Sequence, residues 1–135
     1  MESFISIKEN VQAEIIVKKS KFICNLIKVS SQEEAETTIK EMKKKYFDAR
    51  HNCVAYRIKE ENKIVEKASD DGEPSKTAGE PMLNILQKNN LCNVVAIVTR
   101  YFGGILLGTG GLVRSYSDSL LKAIANSEIV EKCSG

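Results

Sequence analysis

Short runs rich in β-branched residues alternate along this chain with stretches of helical periodicity. Residues 11–17 and 22–29 read as strands, and the polar Lys18-Lys19-Ser20-Lys21 between them reads as a hairpin or bulged connection. Residues 31–46 read as a helix. Ser31 and Glu34 have capping-box spacing, acids occupy the early turns, Lys43-Lys44-Lys45 close the last, and Ala35, Ile39, Met42 and Tyr46 form a core-facing stripe. Residues 52–58 and 63–67 read as a hairpin turning around Glu60-Glu61-Asn62. A short helix is predicted over Pro81–Asn89, with Pro81 at its first position and Met82, Leu83, Ile85 and Leu86 as its apolar residues. Residues 93–99 are apolar at nearly every position, the pattern of a central strand covered on both faces. The last helix is predicted from Thr109, its N-cap, to Asn126. Leu112, Val113, Tyr116, Leu120 and Ile124 line one face, and Arg114, Asp118 and Lys122 the other.

The resulting order, β-β-α-β-β-α-β-α, favours an α+β two-layer sandwich with a four- to five-stranded mixed sheet and helices on one face. A length of 135 residues fits one domain, assigned here to residues 1–127. Residues 128–135 lack helical periodicity and read as a tail, or the start of a linker to a further domain. With 42% apolar and 28% charged residues the chain has the composition of a folded globular protein. No apolar run approaches the roughly 18 residues of a membrane span, and Met1-Glu2-Ser3-Phe4 does not open a secretory signal. A cytoplasmic location and no membrane partner are therefore expected. Cys24, Cys53, Cys92 and Cys133 contain no CxxC pair and are expected as reduced thiols.

Net charge is +2, but it is unevenly spread: +3 over residues 1–67 and −1 over residues 68–135. The lysine run at 43–45 reads either as a solvated helix end or as a nucleic-acid patch. The few charges of the second half sit beside glycines. Five of the eight glycines fall within residues 100–114, Arg-Tyr-Phe-Gly-Gly-Ile-Leu-Leu-Gly-Thr-Gly-Gly-Leu-Val-Arg, which joins the central strand to the last helix. Free amides and the positive dipole end of such a helix can hold an anion. There is no Gly-Lys-Ser/Thr, so this is not a Walker loop. A cation in the first turns of a helix is disfavoured by its dipole, so Arg114 calls for a partner. That partner is either Asp118, four residues on, or a phosphate shared with Arg100 and the loop amides. The anion-binding candidates are Arg100, Tyr101, Gly103, Gly104, Gly108, Thr109, Gly110, Gly111 and Arg114.

A second segment, Ser69-Asp-Asp-Gly-Glu-Pro-Ser-Lys-Thr-Ala-Gly-Glu-Pro81, places Asp70, Asp71 and Glu73 within four residues. Such carboxylates could bind a metal, act as acid and base, recognise a partner, or neutralise Arg100 and Arg114 as internal ion pairs. The third segment is Ala49–Arg57. If extended, it projects His51, Cys53, Ala55 and Arg57 to one face. A Cys–His nucleophile needs a base within hydrogen-bond reach, and a histidine bonded to a backbone carbonyl is the alternative.

Taken together, these segments resemble the YigZ/IMPACT family. The resemblance rests on Ser20–Ile23, His51-Asn-Cys-Val-Ala-Tyr56, Asp70-Asp-Gly-Glu-Pro-Ser-Lys-Thr-Ala-Gly79, Arg100-Tyr-Phe-Gly-Gly104 and Gly108-Thr-Gly-Gly-Leu-Val-Arg-Ser-Tyr116. Lys76 departs from the family pattern, which commonly has glycine there. Bacterial members are similar over this stretch and continue into a small second domain, so the chain resembles their N-terminal domain. The resemblance implies a fold similar to the second domain of small-subunit ribosomal protein five and domain four of elongation factor G. It also implies a link to translation, since eukaryotic relatives regulate the amino-acid-starvation kinase pathway by competing for its ribosome-associated activator. The leading expectation is a non-enzymatic domain that binds RNA, the ribosome or a ribosome-associated protein through the glycine-rich loop, Arg100 and Arg114. Asp70, Asp71, Glu73 and Thr77 would support that surface beside His51 and Cys53. No cofactor or metal is expected on this reading. The rival is a metal-dependent hydrolase using Asp70, Asp71 and Glu73 with His51 and Cys53.

Overall fold

The computed structural model of the chain describes residues 2–134. Ten elements follow in order: β1 Glu2–Ile7, β2 Val11–Val17, β3 Ser20–Lys28, α1 Gln32–Lys45, β4 His51–Glu60, β5 Lys63–Ser69, α2 Gly79–Lys88, β6 Val94–Tyr101, α3 Gly108–Ala125 and β7 Ile129–Ser134. Five strands form one sheet in the order β2-β3-β6-β4-β5. Every pairing in it is antiparallel, so the sheet is not mixed as expected. β6 lies at its centre.

Helices cover both faces of that sheet rather than one. The alternation of β6 shows why: Val94, Ala96 and Val98 join the core beneath α2 and α3, while Val95 and Ile97 join the core beneath α1. β4 divides the same way, with Cys53 and Ala55 on the first face and Val54, Tyr56 and Ile58 on the second. Strands apolar on both sides need two covering layers. Ala35 and Ile39 supply the α1 layer, with Met42 packed against it. Met82, Leu86, Leu112, Tyr116, Leu120 and Ala123 supply the other.

The helix ends follow local chemistry. At α1, Ser31 Oγ accepts from Glu34 N at 3.0 Å, and Glu34 Oε1 accepts from Ser30 N at 2.5 Å, one residue before the usual capping-box partner. Pro81 is the third residue of α2, not the first, because Gly79 already opens that helix. Thr109 is not the cap of α3. The helix starts one residue earlier, Leu107 holds the N-cap position, and its side chain makes no capping bond. Along α3, Val113 is exposed, and the buried stripe takes in Ser115 and Ser119, whose hydroxyls donate to Gly111 O and Tyr116 O.

Residues 129–134, read from the sequence as tail or linker, form β7 and pair antiparallel with β1. This second, two-stranded sheet is held to the main body by Cys92 N donating to Ile5 O at 2.8 Å and by the burial of Ile7.

The β2–β3 connection is a two-residue turn in which Lys18 and Lys19 both have positive φ, 46° and 70°. That backbone matches the twist of a hairpin but is one that lysine adopts at a cost. Gly103, following β6, rests on this turn: a Cβ there would stand 2.1 Å from the Lys19 carbonyl carbon. By contrast, a Cβ at Gly110 on α3 would meet nothing within 4 Å. Gly103→Ala is therefore expected to lose about 2–3 kcal/mol of stability through overpacking, and Gly110→Ala to gain up to about 1 kcal/mol of helix propensity. Urea unfolding of the two variants checks the contrast.

Candidate functional site

The antiparallel topology brings the β2–β3 turn, the start of β4, the end of β5 and the end of β6 to one end of the sheet, where α1 finishes and α3 begins. The three sequence segments with candidate chemistry meet there. At their centre is a buried ion pair: Arg100 Nη1 donates to Glu73 Oε1 at 3.0 Å and Oε2 at 2.8 Å. The Tyr116 hydroxyl, from α3, donates to the same Oε2 at 2.5 Å, and His51 Nε2, from β4, lies 3.5 Å from Oε1. Arg100 is 6% exposed and Glu73 8%. Removing either partner would strand a charge in a site that water barely reaches.

The remaining carboxylates of the acidic turn face elsewhere. Asp70 Oδ1 accepts from the amides of Ala78 and Gly79, capping α2 from nine residues upstream, and Oδ2 accepts from Lys76 N at 2.9 Å. Asp71 Oδ2 accepts from Asn52 N at 2.7 Å, while Oδ1 is 3.5 Å from Lys43 Nζ. Thr77 Oγ1 donates to Pro74 O at 2.6 Å and closes the turn. Among the described residues no three His, Cys, Asp or Glu side chains form a group that could hold a metal ion. The acidic turn is a clamp between β4, β6, α2 and α3.

His51 and Cys53 do share a face of β4, but each bonds this clamp. His51 Nδ1 donates to Asp71 O at 2.8 Å, since a carbonyl only accepts, and the Cys53 thiol donates to Asp70 O at 3.1 Å. Burial pushes the Cys53 thiol well above its ordinary pKa, with the neighbouring carboxylates adding to the effect. It is therefore poorly suited to act as a nucleophile. Burial likewise raises Tyr116, followed by its neighbours Cys53 and Glu73, so its phenol stays a hydrogen-bond donor. Cys24, Cys53 and Cys92 are free and buried, with Cys24 pushed up to about 12 by burial. The side chain of Cys133 lies outside the described ones.

Of the anion-binding candidates, Arg100, Gly108 and Thr109 line a cavity of about 310 Å³, together with Arg50, His51, Glu73, Pro74 and an apolar wall that includes Phe102, Leu106 and Leu112. Gly103 packs on the Lys18-Lys19 turn. Gly110 lies outside the cavity, and Arg114 is exposed on α3 beyond it. Among the described residues Arg114 forms no ion pair with Asp118, the first of its two expected partners. Tyr101 donates its hydroxyl to Asp48 at 2.9 Å, tying β6 to the loop before β4.

That loop contains residues the sequence reading passed over. The Arg50 guanidinium lies 4.9 Å from the centre of the Phe102 ring, and Arg100 lies 5.5 Å from it, both within cation–π range. Phe47 and Leu106 are each 82% exposed, a large apolar surface for single side chains. The exposed Lys18, Lys19, Lys43, Lys44, Lys45 and Arg50 belong to the same end of the sheet. Of its acids, Asp48, Asp70, Asp71 and Glu73 are hydrogen-bonded to groups of the protein, while Glu80 on α2 is exposed. The sequence signal was present in the lysine run and in Phe47. It lacked the fold that brings the end of α1 and the β2–β3 turn to one end of the sheet.

A family model described as the Impact N-terminal domain matches residues 18–124. The chain is 48% identical over 132 residues to the IMPACT family member YvyE of Bacillus subtilis (strain 168), covering 98% of this chain and 60% of that protein. It is 39% identical over 125 residues to the IMPACT family member YigZ of Escherichia coli (strain K12), covering 92% and 61%. It thus spans about 60% of the length of these curated relatives. Among solved structures, one of a hypothetical protein matches with a TM-score of 0.90 and 37% identity, over 98% of this chain and 65% of that one. The two-domain translational regulator Yih1 matches with a TM-score of 0.53 and 23% identity, over 88% and 46%, a likeness of fold alone.

Two variants test the clamp. Glu73→Ala is expected to cost about 3–5 kcal/mol, the penalty for orphaning a buried charge, read from the urea midpoint. Lys76, where the family pattern commonly has glycine, has φ +64°. Lys76→Gly is expected to raise stability by about 0.5–1 kcal/mol through relief of the left-handed backbone. Thermal and urea unfolding should agree on the sign.

Proposed function

The chain belongs to the IMPACT family, and from that premise we propose that it is a translation-linked domain that binds RNA through the basic end of its sheet. The observation that carries this reading is the joint placement of exposed lysines, Arg50 and the exposed Phe47 at the end of the sheet that carries the glycine-rich loop. Phosphates would lie against Lys18, Lys19 and the 43–45 run, and a base would stack on Phe47. Arg114, exposed and without an ion-pair partner among the described residues, would add a further phosphate contact from α3. Glu73 is buried and Asp70 is taken up by backbone amides, so these two acids oppose an RNA backbone less than the sequence charge suggests.

The fold likeness to a translational regulator supports the link to translation. A domain similar to the second domain of ribosomal protein five, as the family resemblance implies, would suit a ribosomal or RNA surface. Fold analogy alone does not assign function. The charge placement is therefore what an experiment should address. Among the described residues no helix is long and apolar enough to cross a membrane, and a cytoplasmic setting is part of the proposal.

The test is a titration with single-stranded RNA at about 50 and 200 mM salt. The Lys43→Ala/Lys44→Ala/Lys45→Ala variant is expected to bind more weakly and to lose about 2 from the slope of log affinity against log salt. Arg114→Ala is expected to lose a little under 1, about the share of one phosphate contact. Affinities and slopes unchanged in folded variants would overturn the RNA reading and direct the search to ribosome-associated proteins.

A further inference from the structure

We propose that the cavity under the glycine-rich loop is a phosphomonoester site, which takes the terminal phosphate of a nucleotide with its nucleoside against the apolar wall. This rests on the RNA-binding reading and narrows it to the class of group bound at one place.

Two independent features meet in the cavity. The first is the open start of α3. Gly108, Thr109 and Gly110 are its first three residues, and their amides have no intrahelical acceptor. The Leu107 side chain does not cap them, and no acid stands in the first turn. An 18-residue helix therefore presents its positive end uncapped to a cavity that Gly108 and Thr109 line. The second is Arg100. Arg100 lines the cavity and is more than nine-tenths buried, and its Nε is a buried donor with no hydrogen-bond partner. A buried donor left unpaired costs stability unless an acceptor reaches it.

The charges on the cavity also suit an anion. Arg50 and Arg100 supply two positive charges and Glu73 one negative. Glu73's oxygens are already taken by Arg100 and Tyr116, with His51 beside them. One cation, Arg50, is left over, next to the helix dipole. A phosphate, with oxygens to reach an arginine and the helix amides together, matches that arrangement better than a carboxylate does.

Size and shape select a chain end. About 310 Å³ lies at the bottom of the roughly 300–1,000 Å³ range of small-molecule sites. It suits a phosphate with one attached nucleoside. An internal phosphodiester would bring nucleotides on both sides, between Pro74 and the Leu106–Leu112 wall. Phe102, Leu106 and Leu112 offer the surface on which a single base or sugar would rest. The phosphate could come from an RNA 5′ end or from a free mononucleotide, and the two sources can be separated by experiment.

The experiment measures fluorescence anisotropy with a 3′-labelled single-stranded hexaribonucleotide carrying either a 5′-phosphate or a 5′-hydroxyl, with AMP and inorganic phosphate as competitors. A Thr109→Glu variant is measured in parallel. It sets a carboxylate at the α3 N-terminus, where the dipole favours it, so the fold is kept while the phosphate is repelled. The expected result is at least about tenfold tighter binding of the 5′-phosphorylated strand, with the preference lost in Thr109→Glu. The Arg100 Nε–H resonance in a nitrogen-15 NMR spectrum should shift when AMP is added to the wild-type protein and stay put in the variant. Binding of AMP without either oligonucleotide would support the cavity as a free-nucleotide site and overturn the RNA reading. Equal binding of the two strands, with no competition by AMP and no shift at Arg100, would overturn the phosphate site and leave the RNA reading standing. No binding of any probe would overturn both.

Discussion

The pair between Arg100 and Glu73 is the contact on which the arrangement of this end of the molecule depends. Arg100 is fixed by β6, the central strand, whose neighbours on both sides are paired over most of its length. Glu73 sits in an irregular turn with no ladder of its own. The ion pair therefore transfers the rigidity of the sheet to the turn. His51 and Tyr116 join the same carboxylate, so β4 and α3 are referenced to one point. A buried pair of this kind adds little net stability over an apolar substitute, but it penalises every arrangement that separates its members. Its contribution is to position: the turn, the start of α3 and the cavity between them have one relative placement.

Close backbone approaches complete that placement. The Lys18-Lys19 turn is pressed against Gly103, and Gly103 N donates to Ser20 Oγ at 3.1 Å. Gly79, the first residue of α2, approaches the backbone of Ser69 so closely that a Cβ would stand 2.4 Å from its nitrogen. Asp70 then caps the helix that Gly79 begins. Sheet, turn and helix are thus joined by contacts that leave no room for a side chain and by a carboxylate that cannot reach elsewhere. The glycines of the 103–111 segment consequently divide by role. Gly103 secures packing, while Gly108 helps to form the open helix start at the cavity.

Much of this was legible in the sequence, and the failures have physical causes. The Ser31 cap, the α1 stripe and the doubly apolar β6 were read correctly because each depends on residues close in the chain. Helices were nevertheless expected on one face, although the apolar pattern of β6 already required cover on both. β1 and β7 escaped because they are six residues each, pair across the whole length of the chain and lack an alternating apolar pattern. Thr109 carried the right chemistry for a cap, but the N-cap position falls two residues sooner, at Leu107. The acidic turn left four meanings open from composition alone. The structure gives its carboxylates to backbone amides and Arg100, which spacing could not reveal. The lysine run was ambiguous because its meaning depends on what shares its end of the sheet, and Lys18 and Lys19 reach that end only through the fold.

A net charge of +2 conceals a radial separation of charge at the end that carries the glycine-rich loop. Most of its carboxylates are taken up by the protein itself, as a helix cap, as the partner of Arg100 and as acceptors for Asn52 and Tyr101, with Glu80 left exposed. Its lysines stand outward on a turn and a helix end, with little to neutralise them beyond the contact between Lys43 and Asp71. The opposite end keeps both signs at the surface, with Lys8 against Glu128 and Glu60-Glu61 between Lys59 and Lys63. An approaching polyanion responds to the outward charges, because those within about one Debye length of the surface act on it most strongly. The acids that make the sequence look balanced are therefore also what assembles the basic surface: by holding the turn and α3 in place, they leave the lysines and Arg50 as the charges a partner meets.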